Sequence, residues 1–138
     1  PLIYEDGNQR RDFIHVKDLV RGKLLLLDES KADYGIFNIG TGIPSSILEL
    51  AETMIQLCGK SFTPDVIYKF RNGDIRDCYA DISKIKKLGF QPQYSLIEGL
   101  KNLIDWSDGK KAVSKIKDAH EQLLDKGLVL ETQPVSSK

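Results

Sequence analysis

Ser46 is followed three residues later by Glu49, and an apolar series then runs through Ile47, Leu50, Ala51, Met54, Ile55 and Cys58. In such a capping box the serine hydroxyl accepts from the backbone N–H of the glutamate, and the carboxylate accepts from the N–H of the serine. The series repeats at helical spacing and stops at Gly59, so both ends and the buried face of one helix are readable. Ser95 with Glu98 repeats the box and predicts a second helix to about Trp106.

Shorter segments separate these helices. Residues 2–4 and 12–16 read as extended runs around the polar turn 5–8, where Gly7 supplies a positive φ, and this predicts a hairpin or paired-strand entry. Leu19, Val20, Leu24 and Leu27 recur at helical spacing from residue 17 to about 30, apolar on more than one side, with Gly22 weakening the middle. Residues 36–39 read as a strand closed by the Gly40, Thr41, Gly42 turn, and residues 65–70 alternate as another. A charged loop covers 71–77, Asp81 caps a short helix ending before Gly89, and a last helix is predicted from about 111 to 126. The alternation of strands and helices gives a mixed α/β fold without internal repeats.

The length, 138 residues, suits one core. Basic and acidic residues balance at twenty each, so no net field draws the chain to nucleic acid or an anionic membrane. The longest apolar run, 24–27, is far below the roughly 20 residues of a spanning helix. Cys58 and Cys78 lack metal-ligand spacing or a disulfide framework, and reduced thiols in a cytoplasm are the expectation. His15, between Ile14 and Val16 in the expected strand, reads as a satisfied, partly buried imidazole, and His120 as a solvated residue of a charged helix. With no nucleophile elbow or metal-ligand spacing, hydrolase and metalloenzyme chemistry lacks its parts.

Arginine placement is more informative. Arg10, Arg11, Arg71 and Arg76 fall at strand ends and in loops, flanked by Asp12, Asp74 and Asp77. A guanidinium fork grips phosphate bidentately, and a nearby carboxylate accepts from sugar hydroxyls, so the two loops suit an anionic, hydroxyl-bearing ligand. Surface ion pairs of about 0–1 kcal/mol each are the plainer reading of the same residues.

Three ordered motifs narrow the choice: Arg11-Asp12-Phe13-Ile14-His15-Val16-Lys17-Asp18-Leu19; Phe37-Asn38-Ile39-Gly40-Thr41-Gly42; and Arg71-Asn72-Gly73-Asp74 followed by Ala80-Asp81-Ile82-Ser83-Lys84 and Leu88-Gly89-Phe90. Together they resemble the carboxy-terminal motifs of extended short-chain dehydrogenase/reductase enzymes, the NAD-dependent nucleotide-sugar epimerases and dehydratases, over about residues 1–107. The tail looks most like that of dTDP-L-rhamnose 4-epimerases. The resemblance implies the substrate-binding lobe of a Rossmann-type enzyme, with residues 108–130 as a helical extension and 131–138 as a disordered tail. It implies that Arg11, Phe13, Asn38, Arg71 and Asp74 bind a nucleotide diphosphate sugar. Phe13 stands where many UDP-hexose epimerases carry tyrosine, and the Asn38 amide either faces the ligand or satisfies local backbone. Neither Gly-x-x-Gly-x-x-Gly nor Tyr-x-x-x-Lys occurs, so no catalytic or cofactor-binding residue is expected here. NAD would be bound by an amino-terminal domain beyond Pro1, and the chain alone is expected to be inactive. A dehydratase, a decarboxylase and an independent binding or assembly module stay open as alternatives. The second apolar face of the helix near 17–30 predicts self-association or local disorder.

Overall fold

The computed structural model of the chain describes residues 1–111 and 113–131. Strands β1 (Leu2–Ile3) and β2 (Arg10–Arg11) open it, and helix α1 (Val16–Asp28) leads to a 3-10 turn at Ser30–Ala32. Strand β3 (Ser45–Ser46) runs directly into α2 (Ile47–Leu57), and β4 (Asp65–Val66), β5 (Lys69–Arg71) and β6 (Asp77–Cys78) follow. Helices α3 (Ser83–Lys86), α4 (Leu96–Ser107) and α5 (Ile116–Asp125) precede β7 (Val129–Glu131).

The expected mixed α/β class holds, but the pairing differs from a hairpin. β1 pairs parallel with β4, whereas β2 lies between antiparallel β3 and parallel β6, and β5 pairs antiparallel with β7. Gly7 takes the predicted positive φ of 78°, yet the turn it serves separates two sheets. The extended run 12–16 is also corrected. The ladder stops at Arg11, and His15 is the N-cap of α1, its Nδ1 accepting from Lys17 N–H at 3.1 Å while its ring stacks on Tyr94 with centroids 4.2 Å apart.

Residues 36–39 form no strand, because no backbone ladder meets them among the described residues. Phe37 and Ile39 pack on the core, and Lys84 Nζ donates to the Ile36 carbonyl. Nor is 65–70 one strand. Tyr68 adopts φ 53° and donates to the Glu5 carbonyl, while Glu5, itself at φ 54°, donates to the Lys69 carbonyl at 2.7 Å. Two non-glycine residues in the left-handed region break the ladder there and turn β5 away from β1 toward β7.

Both capping boxes form, with reciprocal serine–glutamate bonds at α2 and α4. The last helix starts at Ile116, later than the expected residue 111, and its N-cap Lys115 makes no side-chain cap hydrogen bond. The expected tail falls largely outside the described residues: Glu131 closes β7, and residues 132–138 lie beyond them.

The core joins α1 to the α3 region. Ile82, Ile85 and Phe90 are buried, and Ile14, Leu25, Leu26, Phe37, Ile39 and Ala80 pack on them. Gly22 has a packing reason, since a Cβ there would lie 2.8 Å from Ile39 Cγ2 and 3.1 Å from the Phe90 ring. Asp18, on the buried side of α1, is fully enclosed; its Oδ2 accepts from the N–H groups of Gln93 and Tyr94 at 2.9 and 3.0 Å, and its Oδ1 from Arg21 Nη1. One side of α1 is open: Val16, Val20, Leu24 and Leu27 remain 48–80% exposed. No helix among the described residues is long and apolar enough to cross a membrane.

Candidate functional site

Strand β2 and the loop from β5 to β6 bring three of the five expected site residues together. Arg11 reaches across from β2, its Nη2 donating to the Ile75 carbonyl at 2.6 Å and its Nη1 to the carbonyls of Arg10 and Arg76 at 2.8 and 3.1 Å. A planar fork that bonds several carbonyls fixes the loop rather than reaching far from it. That loop turns tightly, with Asp74 N–H donating to the Arg71 carbonyl at 3.0 Å and Gly73 at φ 88°, a conformation that favours glycine. The turn sets Arg71 Nε 2.8 Å from Asp74 Oδ2 and lays the guanidinium over the Tyr4 ring, 5.1 Å from its centroid. Among the described residues neither Nη of Arg71 has a hydrogen-bond partner, and 47% of the side chain is exposed.

The neighbouring charges are already paired. Arg76 Nη1 lies 2.6 Å from carboxylate oxygens of both Glu5 and Asp6, and that hydrogen bonding holds the Asp6 carboxyl far below the usual carboxylate range. Arg10 Nε donates to Asp77 at 2.7 Å, which lowers the Asp77 carboxyl in the same way. Arg76 therefore braces the β1–β2 turn against the loop.

Phe13 and Asn38 lie apart from this cluster. Phe13 lines a cleft of about 700 Å³ with Thr41, Gly42, Phe90 and Tyr94, and an apolar groove of about 690 Å³ with Leu100 and Trp106. Residues 71–77 contribute to neither. The Asn38 amide donates to the Asp81 carbonyl at 3.2 Å, a backbone group 43 positions along the chain rather than a local one.

Asp12 departs from its expected role beside a sugar hydroxyl. One carboxylate oxygen accepts from the N–H and hydroxyl of Thr41 at 2.8 and 2.6 Å, the other from the N–H groups of Gly42 and Ala80 at 2.9 and 3.3 Å. Burial pushes this carboxyl up, but the Thr41 hydroxyl and the three N–H groups outweigh it and hold it below the ordinary value. The same bonds occupy the N–H groups of Thr41 and Gly42 in the glycine turn, which a phosphate would otherwise need. Sequence reasoning missed this knot, and it also missed Asp18. A signal for each existed: Asp12 precedes an apolar segment that must leave the sheet, and Asp18 stands three residues before Arg21 in the expected helix.

With this geometry in hand, the relatives are informative. The sequence profile of the GDP-mannose 4,6 dehydratase family matches residues 1–103. The UDP-glucuronate 4-epimerase of Thermodesulfobacterium geofontis is 38% identical over 117 residues, covering 83% of this chain and 35% of the relative. Among solved structures, the UDP-glucose 4-epimerase of Thermotoga maritima, determined with UDP-glucose, superposes with a TM-score of 0.70 at 35% identity over 76% of this chain and 33% of that one. The dTDP-glucose 4,6-dehydratase of Bacillus anthracis, in complex with NAD, superposes at 0.67 with 25% identity over 78% and 34%. The chain thus spans about a third of the length of the relatives it matches. The ordered motifs and the fold agree with those matches: the chain belongs to the GDP-mannose 4,6 dehydratase family, among the short-chain dehydrogenase/reductase epimerases and dehydratases.

Proposed function

We propose that this chain is the nucleotide-sugar-binding portion of an NAD-dependent sugar 4-epimerase acting on a UDP- or dTDP-hexose. The observation that carries the reading is Arg71. Its guanidinium is oriented by Asp74 and Tyr4, yet keeps both Nη groups without a partner among the described residues, a fork suited to a diphosphate. Arg11 holds the loop and adds positive charge beside it, and the second Asp74 oxygen is available to ribose hydroxyls. Phe13 and Asn38 would serve a different part of an extended ligand, since each lies away from the loop. The bound UDP-glucose of the Thermotoga maritima relative supports this ligand class.

NAD, when bound, would accept and return the hydride that inverts the sugar carbon. The residues here do not fit its pyrophosphate, because in the glycine turn that could cradle it the Thr41 and Gly42 N–H groups are engaged by Asp12, a carboxylate that would repel the phosphates. The cofactor is therefore expected on segments beyond these residues.

Calorimetric titration with UDP, dTDP and their hexose conjugates tests the reading. Arg71→Ala is expected to weaken diphosphate binding tenfold or more, the loss of about 1.5–3 kcal/mol typical of a charged hydrogen bond. Equal affinity in the variant would sink the assignment. The likeness to a dTDP-glucose 4,6-dehydratase supports dehydration as a second reading. Product mass from the full-length protein separates the two, because epimerisation conserves mass and dehydration loses water.

The open side of α1 completes the proposal, as a second copy of the chain can cover it in solution. Val16, Val20, Leu24 and Leu27 form a large apolar strip, and soluble monomers rarely leave such patches bare. Light scattering is expected to show self-association that Leu24→Lys with Leu27→Lys abolishes. A monodisperse wild-type monomer would count against it.

A further inference from the structure

The family profile ends at residue 103, yet residues beyond it complete the strand that carries Arg71. β7 pairs with β5 in the register Lys69 to Glu131, Phe70 to Leu130 and Arg71 to Val129, and Asn72 N–H extends the ladder to the Leu128 carbonyl at 2.9 Å. The same carboxy-terminal segment delivers a side chain. His120, on α5, lies with its Nδ1 2.6 Å from the Tyr4 hydroxyl, across 116 positions of sequence. Tyr4 is the residue whose ring lies under the Arg71 guanidinium.

Arg71 is therefore held at three levels: its backbone by β7, its Nε by Asp74, and its charged plane by a ring that His120 anchors. We infer that Tyr4 and His120 are positioning residues for Arg71, and that the segment 116–131 is a clamp which orients the diphosphate-binding loop before ligand arrives. This deepens the reading of Arg71 given above and rests on it. A guanidinium whose rotamers are already fixed loses less freedom on binding, so the clamp is expected to raise affinity without touching the ligand. The side-chain part of the device needs both members, because the hydroxyl bond sets the tilt of the ring and the ring face attracts the cation.

The test uses the full 138-residue chain and two readouts. The first is the side-chain Nε–H resonance of Arg71, identified by its loss in Arg71→Lys and followed without ligand. Tyr4→Leu and His120→Ala are expected to shift it and speed its exchange with water. Tyr4→Phe removes only the hydroxyl and keeps the fold, and it is expected to give a smaller shift in the same direction. The second is titration with UDP, in which Tyr4→Leu is expected to weaken binding about three- to fivefold. In an Arg71→Ala background the same change is expected to do nothing further, because Tyr4 acts through Arg71. An Nε–H signal unmoved in all three variants would overturn the clamp, as would an equal affinity loss with and without Arg71. Absence of UDP binding together with a shifted Nε–H signal would instead overturn the ligand assignment and support the clamp.

Discussion

Asp18→Ala is expected to destabilise the chain by about 2–6 kcal/mol, about 1–3 kcal/mol for each of two backbone N–H groups that lose their acceptor. The carboxylate is fully enclosed and serves two tasks at once. It accepts from Gln93 and Tyr94 N–H, pinning the segment between Phe90 and α4, and it pairs with Arg21 one turn along α1. Alanine leaves two enclosed N–H groups unbonded, whereas Arg21, 38% exposed, can turn to water. Asp18→Asn can keep its amide oxygen where Oδ2 accepts from both N–H groups but turns its NH2 toward Arg21, so it is expected to fall between. Urea unfolding followed by far-UV circular dichroism measures this through the midpoint, and a loss under 1 kcal/mol in Asp18→Ala would refute the account. The pocket that holds Phe13 would open in the same variant, since Gln93 and Tyr94 form its wall.

Asp18 also marks where sequence reading ended. Helices α2 and α4 were legible to within about a residue at their ends because a capping box is local, with both its partners and its apolar face within one element. The strands were not, since they are two or three residues long and depend on partners far along the chain. Residues 36–39 have the composition of a strand and lack a ladder, whereas Asp77 and Cys78 pair because Arg10 and Arg11 lie beside them. Site residues divided in the same way. Arg71 and Asp74 sit three apart in one turn, so the pair was readable, and Arg11 joined them through carbonyls that no side-chain pattern reveals. His120 read as a solvated helix residue because its partner, Tyr4, lies at the other end of the chain.

Asp12→Ala is expected to cost about 2–4 kcal/mol, through four donors that lose the carboxylate at a half-buried site, of which only the Thr41 hydroxyl has another acceptor among the described residues, the Ile43 carbonyl at 3.3 Å. These are the hydroxyl of Thr41 and the N–H groups of Thr41, Gly42 and Ala80, which tie the turn after the 36–39 segment to the strand edge at β2 and β6. Space at this site is equally constrained: a Cβ on Gly40 would lie 2.4 Å from Asp12 Oδ2, so the turn can approach the carboxylate only as glycine. Asp12→Asn tests charge against shape. The amide replaces one acceptor by a donor facing N–H groups, so it is expected to lose nearly as much as alanine. The pH dependence has a definite sign. The folded carboxyl titrates below its unfolded value, so around pH 4 the unfolded chain binds more protons than the native one. Stability from Asp12 is then fully present above roughly pH 5 and is lost as pH falls below about 4 toward the folded value. Midpoints of urea unfolding at pH 3.5 and 7 are expected to differ less in Asp12→Ala than in the wild type. An equal difference in the two proteins would mean that the knot holds as well with the carboxyl protonated, and that the acid sensitivity belongs to Asp6 and Asp77 with their arginines.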